Sequence, residues 1–179
     1  RAPGRSRRPA GRRAGAATGQ TVSRQAAADT AGGAPYCFRQ LRDNGNSSTA
    51  QMIHEQSIPS EDSLEYAGQA VTLSARVRAL AGYSGGAASL ALITGTGTDE
   101  SVRTPFTGAA TAGTGTVTPS TSWQTVYVTV TLASTVTQLG VQKTWTPTGT
   151  AGANDGLEWK DIRVDRGTVP LNHAPLKYE

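Results

Sequence analysis

Few side chains in this sequence have the types and spacing that catalysis requires. Two pairs of acidic residues are adjacent in sequence within polar segments, which is typical of solvated loops: Asp99–Glu100 and Glu61–Asp62. A glycosidase instead needs two carboxylates that flank a cleft, about 5 Å or about 6.5–9.5 Å apart. His54 and His173 have no Gly-x-Ser-x-Gly segment whose serine they could activate. We therefore expect a protein that is not an enzyme.

Metal and thiol chemistry has little more support. The single cysteine, Cys37, lies between Tyr36 and Phe38, and a free cysteine in apolar company is usually a buried small hydrophobe. The two histidines form no Cys/His cluster with zinc spacing. No Asp-x-Asp-x-Asp loop is present, so a structural calcium has only weak candidates and no other cofactor is expected. Those candidate oxygen ligands are Asp155, Glu158, Asp161 and Asp165.

The net charge of +4 is concentrated in one segment. Residues 1–17 contain six arginines and no acid; removing these six from the 17 basic residues leaves 11 against 13 acids, or −2 for the rest. A segment of Arg, Ala, Gly, Pro and Ser is typical of a chain that becomes ordered only by docking. We expect an anchoring arm, and nucleic-acid binding by the folded part is not expected. The arginines assigned to this arm are Arg5, Arg7, Arg8, Arg12 and Arg13.

The length of 179 residues is sufficient for one domain with one core. We expect residues 18–167 to form it, between the arm at 1–17 and a C-terminal extension at 168–179. The sequence contains no run of 18 apolar residues, so we do not expect membrane insertion. It also lacks an apolar segment near the start, so we do not expect a signal peptide. The chain begins at Arg1 rather than Met, which indicates a processed product or a piece of a longer protein.

Alternating apolar and polar residues predict strands along most of this domain. In Gln69–Ala79 the arginines Arg76 and Arg78 share the polar face, and in Trp123–Leu132 the residues Trp123 and Tyr127 share the face opposite the valines. A break in the alternation at Lys160–Asp161 predicts a β-bulge. Residues 95–115 are expected to be mostly loop, and eight strands are predicted at 18–25, 35–42, 48–58, 69–79, 87–94, 123–132, 137–146 and 156–165.

This pattern predicts an all-β fold. No segment of useful length has helical periodicity, and many strands separated by glycine-rich turns are typical of sandwiches and barrels. We expect a two-sheet antiparallel β-sandwich of jelly-roll type with about eight strands and an extended basic N-terminal arm.

Three segments occur in an order known from one protein family. They are Gly68–Ala79 (GQAVTLSARVRA), Thr121–Gln124 (TSWQ) before alternating valines and threonines, and Leu157–Gly167 (LEWKDIRVDRG). Together with Thr18–Gln56, the chain resembles the carbohydrate-binding-like jelly-roll domains of bacteriophage tail-fibre and head-spike proteins. Residues 1–17 match no part of that family's pattern.

The resemblance implies a non-enzymatic structural protein on the surface of the extracellular virion, in a fibre, spike or turret-like position. Such a protein would aid attachment to host surface polysaccharide, form a homo-oligomer and contact other virion proteins through its arm. Two alternatives stay open. One is a capsid decoration or connector protein without sugar binding, and the other is the ancillary carbohydrate-binding module of a polysaccharide-degrading enzyme.

The resemblance also implies where a glycan would bind. Such modules place aromatic rings against the apolar side of a sugar, while arginines, acids and amides bond its hydroxyls. Trp145 stands among polar residues, so we expect either a binding platform or a subunit contact. Trp123 and Trp159 are expected in the core. The glycan-binding candidates are Trp145, Tyr127, Arg76 and Arg78.

Overall fold

The computed structural model describes residues 19–27 and 33–168. The predicted arm, with Arg5, Arg7, Arg8, Arg12 and Arg13, lies outside these residues, as does all of the C-terminal extension except Thr168. The described residues form nine strands: β1 (Gln20–Ala26), β2 (Tyr36–Arg42), β3 (Met52–Ile58), β4 (Ala70–Ala79), β5 (Ala88–Gly95), β6 (Ala110–Val117), β7 (Gln124–Thr131), β8 (Gln138–Trp145) and β9 (Gly156–Arg166). One helical turn, α1 (Ser60–Ser63), and a 3-10 turn (Leu64–Tyr66) join β3 to β4.

The strands form two antiparallel sheets. Sheet A has the order β1-β2-β9-β4-β7, and sheet B has the order β3-β8-β5-β6. Consecutive strands pair only in β1–β2 and β5–β6. The other neighbours are distant in sequence, since β9 lies between β2 and β4 and β8 lies between β3 and β5. This arrangement confirms the predicted all-β, two-sheet sandwich. None of the described residues belongs to a helix with the length and hydropathy needed to cross a bilayer.

Residues 96–109 form a connection, as expected for most of 95–115, but strand β6 was not predicted. Its Gly113 and Gly115 give it a loop-like composition, but both glycines are required by close packing against β7. A Cβ on Gly113 would come within 2.5 Å of Val130 Cγ1, and one on Gly115 would collide with the carbonyl oxygen of Tyr127. Glycine therefore lets the edge strands of the two sheets approach one another here.

The core lies between the sheets and follows the predicted alternation. In β4 the residues Val71, Leu73, Ala75 and Val77 are fully buried. They pack with Leu90, Leu92, Leu139, Trp145, Leu157 and Trp159 from β5, β8 and β9. Full burial of one such aliphatic side chain is worth about 1.5–3 kcal/mol. The opposite side of β4, which carries Arg76 and Arg78, is the outer face of sheet A.

The predicted bulge in β9 is confirmed. Arg76 pairs with Lys160, whereas Ser74 pairs with Arg163, so β9 has one extra residue between these positions. Asp161 adopts φ +52 within the bulge, and its Oδ1 accepts a hydrogen bond of 2.7 Å from the backbone N–H of Ala34. Because of this extra residue, polar side chains before and after the bulge both lie on the outer face of sheet A.

A buried ion pair joins the loops at one end of the sandwich. The Arg42 guanidinium donates to Asp155 Oδ2 at 2.7 Å, and both side chains are fully buried. Its Nη2 donates to the carbonyl oxygens of Asn46, Ser48 and Gly149 at 2.7, 2.7 and 3.0 Å. One cation thus satisfies backbone acceptors from two separate loops, which fixes the ends of β2 and β8 relative to each other.

Candidate functional site

A row of charged and aromatic side chains crosses the outer face of sheet A. Arg39 of β2 pairs with Glu158 of β9, and Glu158 pairs in turn with Arg78 of β4. Trp123, directly before β7, continues the row, because its ring centroid lies 4.8 Å from Arg78 Cζ. Paired residues of antiparallel strands point to the same side of a sheet, so all four side chains share one surface.

Glu158 anchors this row. Its side chain is fully buried, and each carboxylate oxygen accepts from a different arginine. Arg39 donates to Oε1 through Nε at 2.8 Å, and Arg78 donates to Oε2 through Nε at 2.6 Å. The side chains of Arg39 and Arg78 remain 27% and 21% exposed. Although burial acts to raise the pKa of Glu158, the hydrogen bonds and charges of the two arginines outweigh it and lower that pKa.

Three cations surround the Trp123 ring. Besides Arg78 at 4.8 Å, Lys160 Nζ lies 5.1 Å and Arg76 Cζ lies 5.9 Å from the ring centroid. Cations within about 6 Å of an aromatic ring are attracted by its quadrupole. The ring is half-buried, so part of it still faces solvent. This arrangement places an aromatic ring and three cationic side chains together on one face of the sheet.

Tyr127 extends the same face along β7. It pairs with Ser74, and its side chain is 54% exposed. It lies four positions after Trp123, which corresponds to about 13 Å along an extended strand. The structure therefore brings three of the predicted site residues, Tyr127, Arg76 and Arg78, onto one surface.

Trp145 is not part of this surface, and its predicted role as an exposed platform is wrong. The residue is 1% exposed in the core, where its ring centroid lies 5.0 Å from that of Tyr83 and its Nε1 donates to Gln40 Oε1 at 3.2 Å. Its polar sequence neighbours misled the prediction, because Lys143 also points into the sandwich and Pro147 is buried. The ring of Trp145 is unavailable to a ligand in this structure.

Trp123 requires the opposite correction. It was expected in the core, but it lies on the outer face, whereas Trp159 is fully buried as predicted. The signal was present in the alternation of Trp123–Leu132, which assigned Trp123 and Tyr127 to one side. The expectation of core packing came instead from the strand-opening position that such domains use for it.

The carboxylates named for calcium do not converge. Asp155 binds Arg42, Glu158 binds two arginines, and Asp165 Oδ2 lies 2.8 Å from Arg163 Nε. Asp161 Oδ1 instead accepts a hydrogen bond from the backbone N–H of Ala34. Within residues 19–27 and 33–168, no three Asp, Glu, His or Cys side chains are grouped as metal ligands.

A cavity lies at the end of sheet B, away from this row. This cavity of about 480 Å³ is lined in part by Glu61, Asp99 and Glu100. Asp99 Oδ1 accepts from the Ser60 backbone N–H at 3.0 Å, and Glu100 accepts from the Thr107 backbone N–H at 2.7 Å. The hydrogen bonds from Thr107 lower the pKa of Glu100. These acids stabilise their loops, so they are poor candidates for a catalytic pair.

Comparisons with known proteins bear on the fold. No protein-family model matches the chain, and no curated protein matches it at a significant level. Among solved structures, the C-terminal family 22 carbohydrate-binding module of Clostridium thermocellum Xyn10B matches 87% of this chain and 92% of its own, at 16% identity and a TM-score of 0.52. The CBM22-1 xylan-binding domain of Paenibacillus barcinonensis Xyn10C matches 86% of this chain and 85% of its own, at 12% identity and a TM-score of 0.51. The chain has a carbohydrate-binding-module-like jelly-roll fold.

A viral structure also appears among the matches. The enzymatically active domain of bacteriophage CBA120 tailspike protein 4 covers 83% of this chain, but only 19% of that chain is covered, at 8% identity and a TM-score of 0.48. A score at that level carries no argument, so phage origin stays a prediction from the sequence. Identities this low establish the shared fold and leave the ligand to be argued from the surface itself.

Proposed function

We propose that this chain is a non-enzymatic carbohydrate-binding module that holds a glycan on the outer face of sheet A, against Trp123. The supporting observation is the half-buried Trp123 ring at the end of the row that Glu158 anchors. Sugar-binding sites combine an aromatic platform with a few fixed polar groups, and this row contains both. Two proteins of the same fold are a family 22 carbohydrate-binding module and a xylan-binding domain.

Pre-organisation supports the same surface. Because the buried carboxylate of Glu158 holds Arg39 and Arg78 in place, their N–H groups lose little conformational entropy when a ligand binds. Tyr127 supplies a second aromatic contact about 13 Å along the strand, so an extended oligosaccharide can reach both rings. A glycan that contacts several such positions gains affinity without a deep pocket.

The test is a titration of oligosaccharides against the Trp123→Ala variant. We expect the dissociation constant, measured by isothermal titration calorimetry, to rise about tenfold or more, since lost stacking of this kind is worth about 1–2 kcal/mol. Tyr36→Ala is the matched control, because Tyr36 is 50% exposed but lies away from the outer face of sheet A. Equal affinity of the Trp123→Ala variant and the wild-type protein would refute the proposed site.

The setting in which the module works is part of the proposal. We infer attachment of a virion to host polysaccharide, with the module as a homo-oligomer at the particle surface and residues 1–17 as its anchor to other virion proteins. Detection of the chain in purified particles by mass spectrometry, with its mass in solution from light scattering, tests both points.

An ancillary role beside a catalytic domain is the second candidate. It is favoured because the Clostridium thermocellum match is a module of an endo-1,4-β-D-xylanase and the Paenibacillus barcinonensis match is a xylan-binding domain. Both settings require the same glycan surface, whereas a decoration or connector protein requires none. Loss of binding in the Trp123→Ala variant therefore separates the first two settings from the third.

A further inference from the structure

The chain leaves sheet A across its outer face. Directly after β9, Gly167 adopts φ +106, and its carbonyl oxygen accepts from Thr72 Oγ1 at 2.8 Å. The carbonyl oxygen of Thr168 lies 3.4 Å from Thr129 Oγ1. Thr72 and Thr129 are paired residues of β4 and β7 on the outer face. Residues 167–168 therefore cross from β4 to β7 over the same face that carries the candidate site.

This crossing is anchored by a buried hydroxyl group. Thr72 is fully buried, although its side chain lies on the outer face of sheet A. Its Oγ1 lies 2.8 Å from Thr129 Oγ1 as well as from the carbonyl oxygen of Gly167. Removal of a buried hydrogen-bond partner is costly, so the chain after Thr168 starts from a fixed point on this face.

The residues that follow are numerous enough to reach the aromatic side chains of the candidate site. Eleven residues, 169–179, follow Thr168 in the sequence and lie outside the described residues. A fully extended segment of that length spans about 36 Å. Tyr127 and Trp123 lie two and six positions before Thr129 along β7, which corresponds to about 7 and 20 Å. Both rings are therefore within reach of this segment.

The composition of the segment fits an exposed aromatic surface. Proline disfavours a helix, and extended segments that contain proline dock on aromatic side chains. Tyr127 offers such a side chain, since it is 54% exposed. A contact between them would remove apolar surface of both partners from water. The apolar residues of the segment are Val169, Pro170, Leu171, Ala174, Pro175 and Leu176.

We propose that residues 169–179 dock along β7 on the outer face of sheet A of their own chain and cover Tyr127, so that the segment and a glycan compete for this surface. The inference rests on the proposed glycan-binding function and adds a regulation of the same site. A segment that covers Tyr127 for about nine tenths of the time lowers the apparent affinity for a glycan about tenfold.

Substitutions in the full chain test the docking without any glycan. The double variant Leu171→Asn/Leu176→Asn weakens the apolar contact, so we expect the NMR amide signals of Tyr127 and Ser74 to shift from their wild-type positions. Leu64→Asn is the matched control, because Leu64 is a 54% exposed leucine in the 3-10 turn and should leave both signals in place. Unchanged signals in the double variant overturn the proposal, and so does an equal shift in the control.

Protein concentration separates docking within one chain from docking on a second copy. Docking within one chain is independent of concentration, whereas association of two copies follows mass action. We expect the difference between the Tyr127 signals of the wild-type protein and the double variant to be the same in dilute and concentrated samples. A difference that grows with concentration assigns the segment to a second copy and overturns docking within the chain.

Calorimetry tests the competition with a glycan. Xylo-, cello- and manno-oligosaccharides are titrated into the wild-type protein, the double variant and Leu64→Asn, after thermal unfolding has confirmed that each variant is folded. We expect the double variant to bind about tenfold more tightly than the wild-type protein and the control. Equal affinity of the double variant and the wild-type protein overturns the competition and leaves the proposed function standing. If no oligosaccharide binds either protein, the competition and the proposed function are both overturned, while the NMR spectra still decide the docking.

Discussion

Two clusters in this sandwich bury a carboxylate against arginine, and they differ in what they leave at the surface. At the end of the sandwich, Arg42 and Asp155 are both fully buried, and the arginine is surrounded by backbone carbonyls. On the outer face of sheet A, Glu158 is equally buried, but its partners Arg39 and Arg78 remain about a quarter exposed.

The difference separates a structural role from a binding role. In the Arg42–Asp155 cluster the guanidinium donates only to groups of the protein, so this cluster holds the loops together. In the Glu158 cluster the buried carboxylate holds two partly exposed arginines, one of which lies beside the Trp123 ring. A buried charge that orients exposed groups is a feature of a pre-organised site.

Removal of each buried carboxylate should destabilise the two clusters by different amounts. Asp155→Asn leaves the Arg42 charge buried without its carboxylate, and we expect a loss of about 3–5 kcal/mol in the free energy of unfolding. Glu158→Gln leaves two arginines that water can solvate, so we expect a smaller loss of about 1–3 kcal/mol. Urea denaturation of both isosteric variants measures the difference. Equal losses would contradict the distinction between the clusters.

Lys143 is also a buried cation, and its titration makes stability depend on pH. Lys143 points into the sandwich, where its Nζ lies 4.6 Å from the Phe38 ring and its strand partner is His54. No carboxylate within residues 19–27 and 33–168 forms an ion pair with it. Burial lowers the pKa of Lys143 to about 7, and burial together with the Lys143 charge lowers the pKa of His54 to about 4.

The sign of the resulting effect follows from proton linkage. Between pH 7 and the ordinary lysine pKa of 10.5, the unfolded chain binds a proton that folded Lys143 has lost. The free energy of unfolding therefore rises with pH in this window, by about 1.4 kcal/mol per pH unit from this group. We expect Lys143→Met to remove that slope in the difference between wild-type and variant denaturation curves. Parallel curves from pH 7 to 10 would show that Lys143 is charged in the folded state.

The sequence predicted the parts of the fold that depend on side-chain alternation. The faces of β4, the bulge at Asp161 and the burial of Trp159 all followed from local pattern. Strand β6 did not, because its glycines serve a contact with a distant strand, and glycine in isolation predicts a loop. Register between strands decides such contacts, and a single strand's sequence does not contain it.

The candidate site was also predicted only in part, because some of its residues follow from alternation and others depend on which strands are neighbours. Arg76, Arg78 and Tyr127 were identified because alternation alone places them outward. The roles of Arg39 and Glu158 depend on β9 lying between β2 and β4, which joins residues 119 positions apart. Trp145 was misplaced because its polar neighbours hide a position that faces the core.

The most direct test of binding at Trp123 follows the three tryptophan indole N–H signals by NMR while an oligosaccharide ligand is titrated into the protein. Trp123 is half-buried on the outer face, whereas Trp145 and Trp159 are buried between the sheets. We expect the Trp123 signal to shift with ligand concentration while the other two stay within their line widths. A titration that shifts Trp145 or Trp159 and leaves Trp123 unchanged would contradict it.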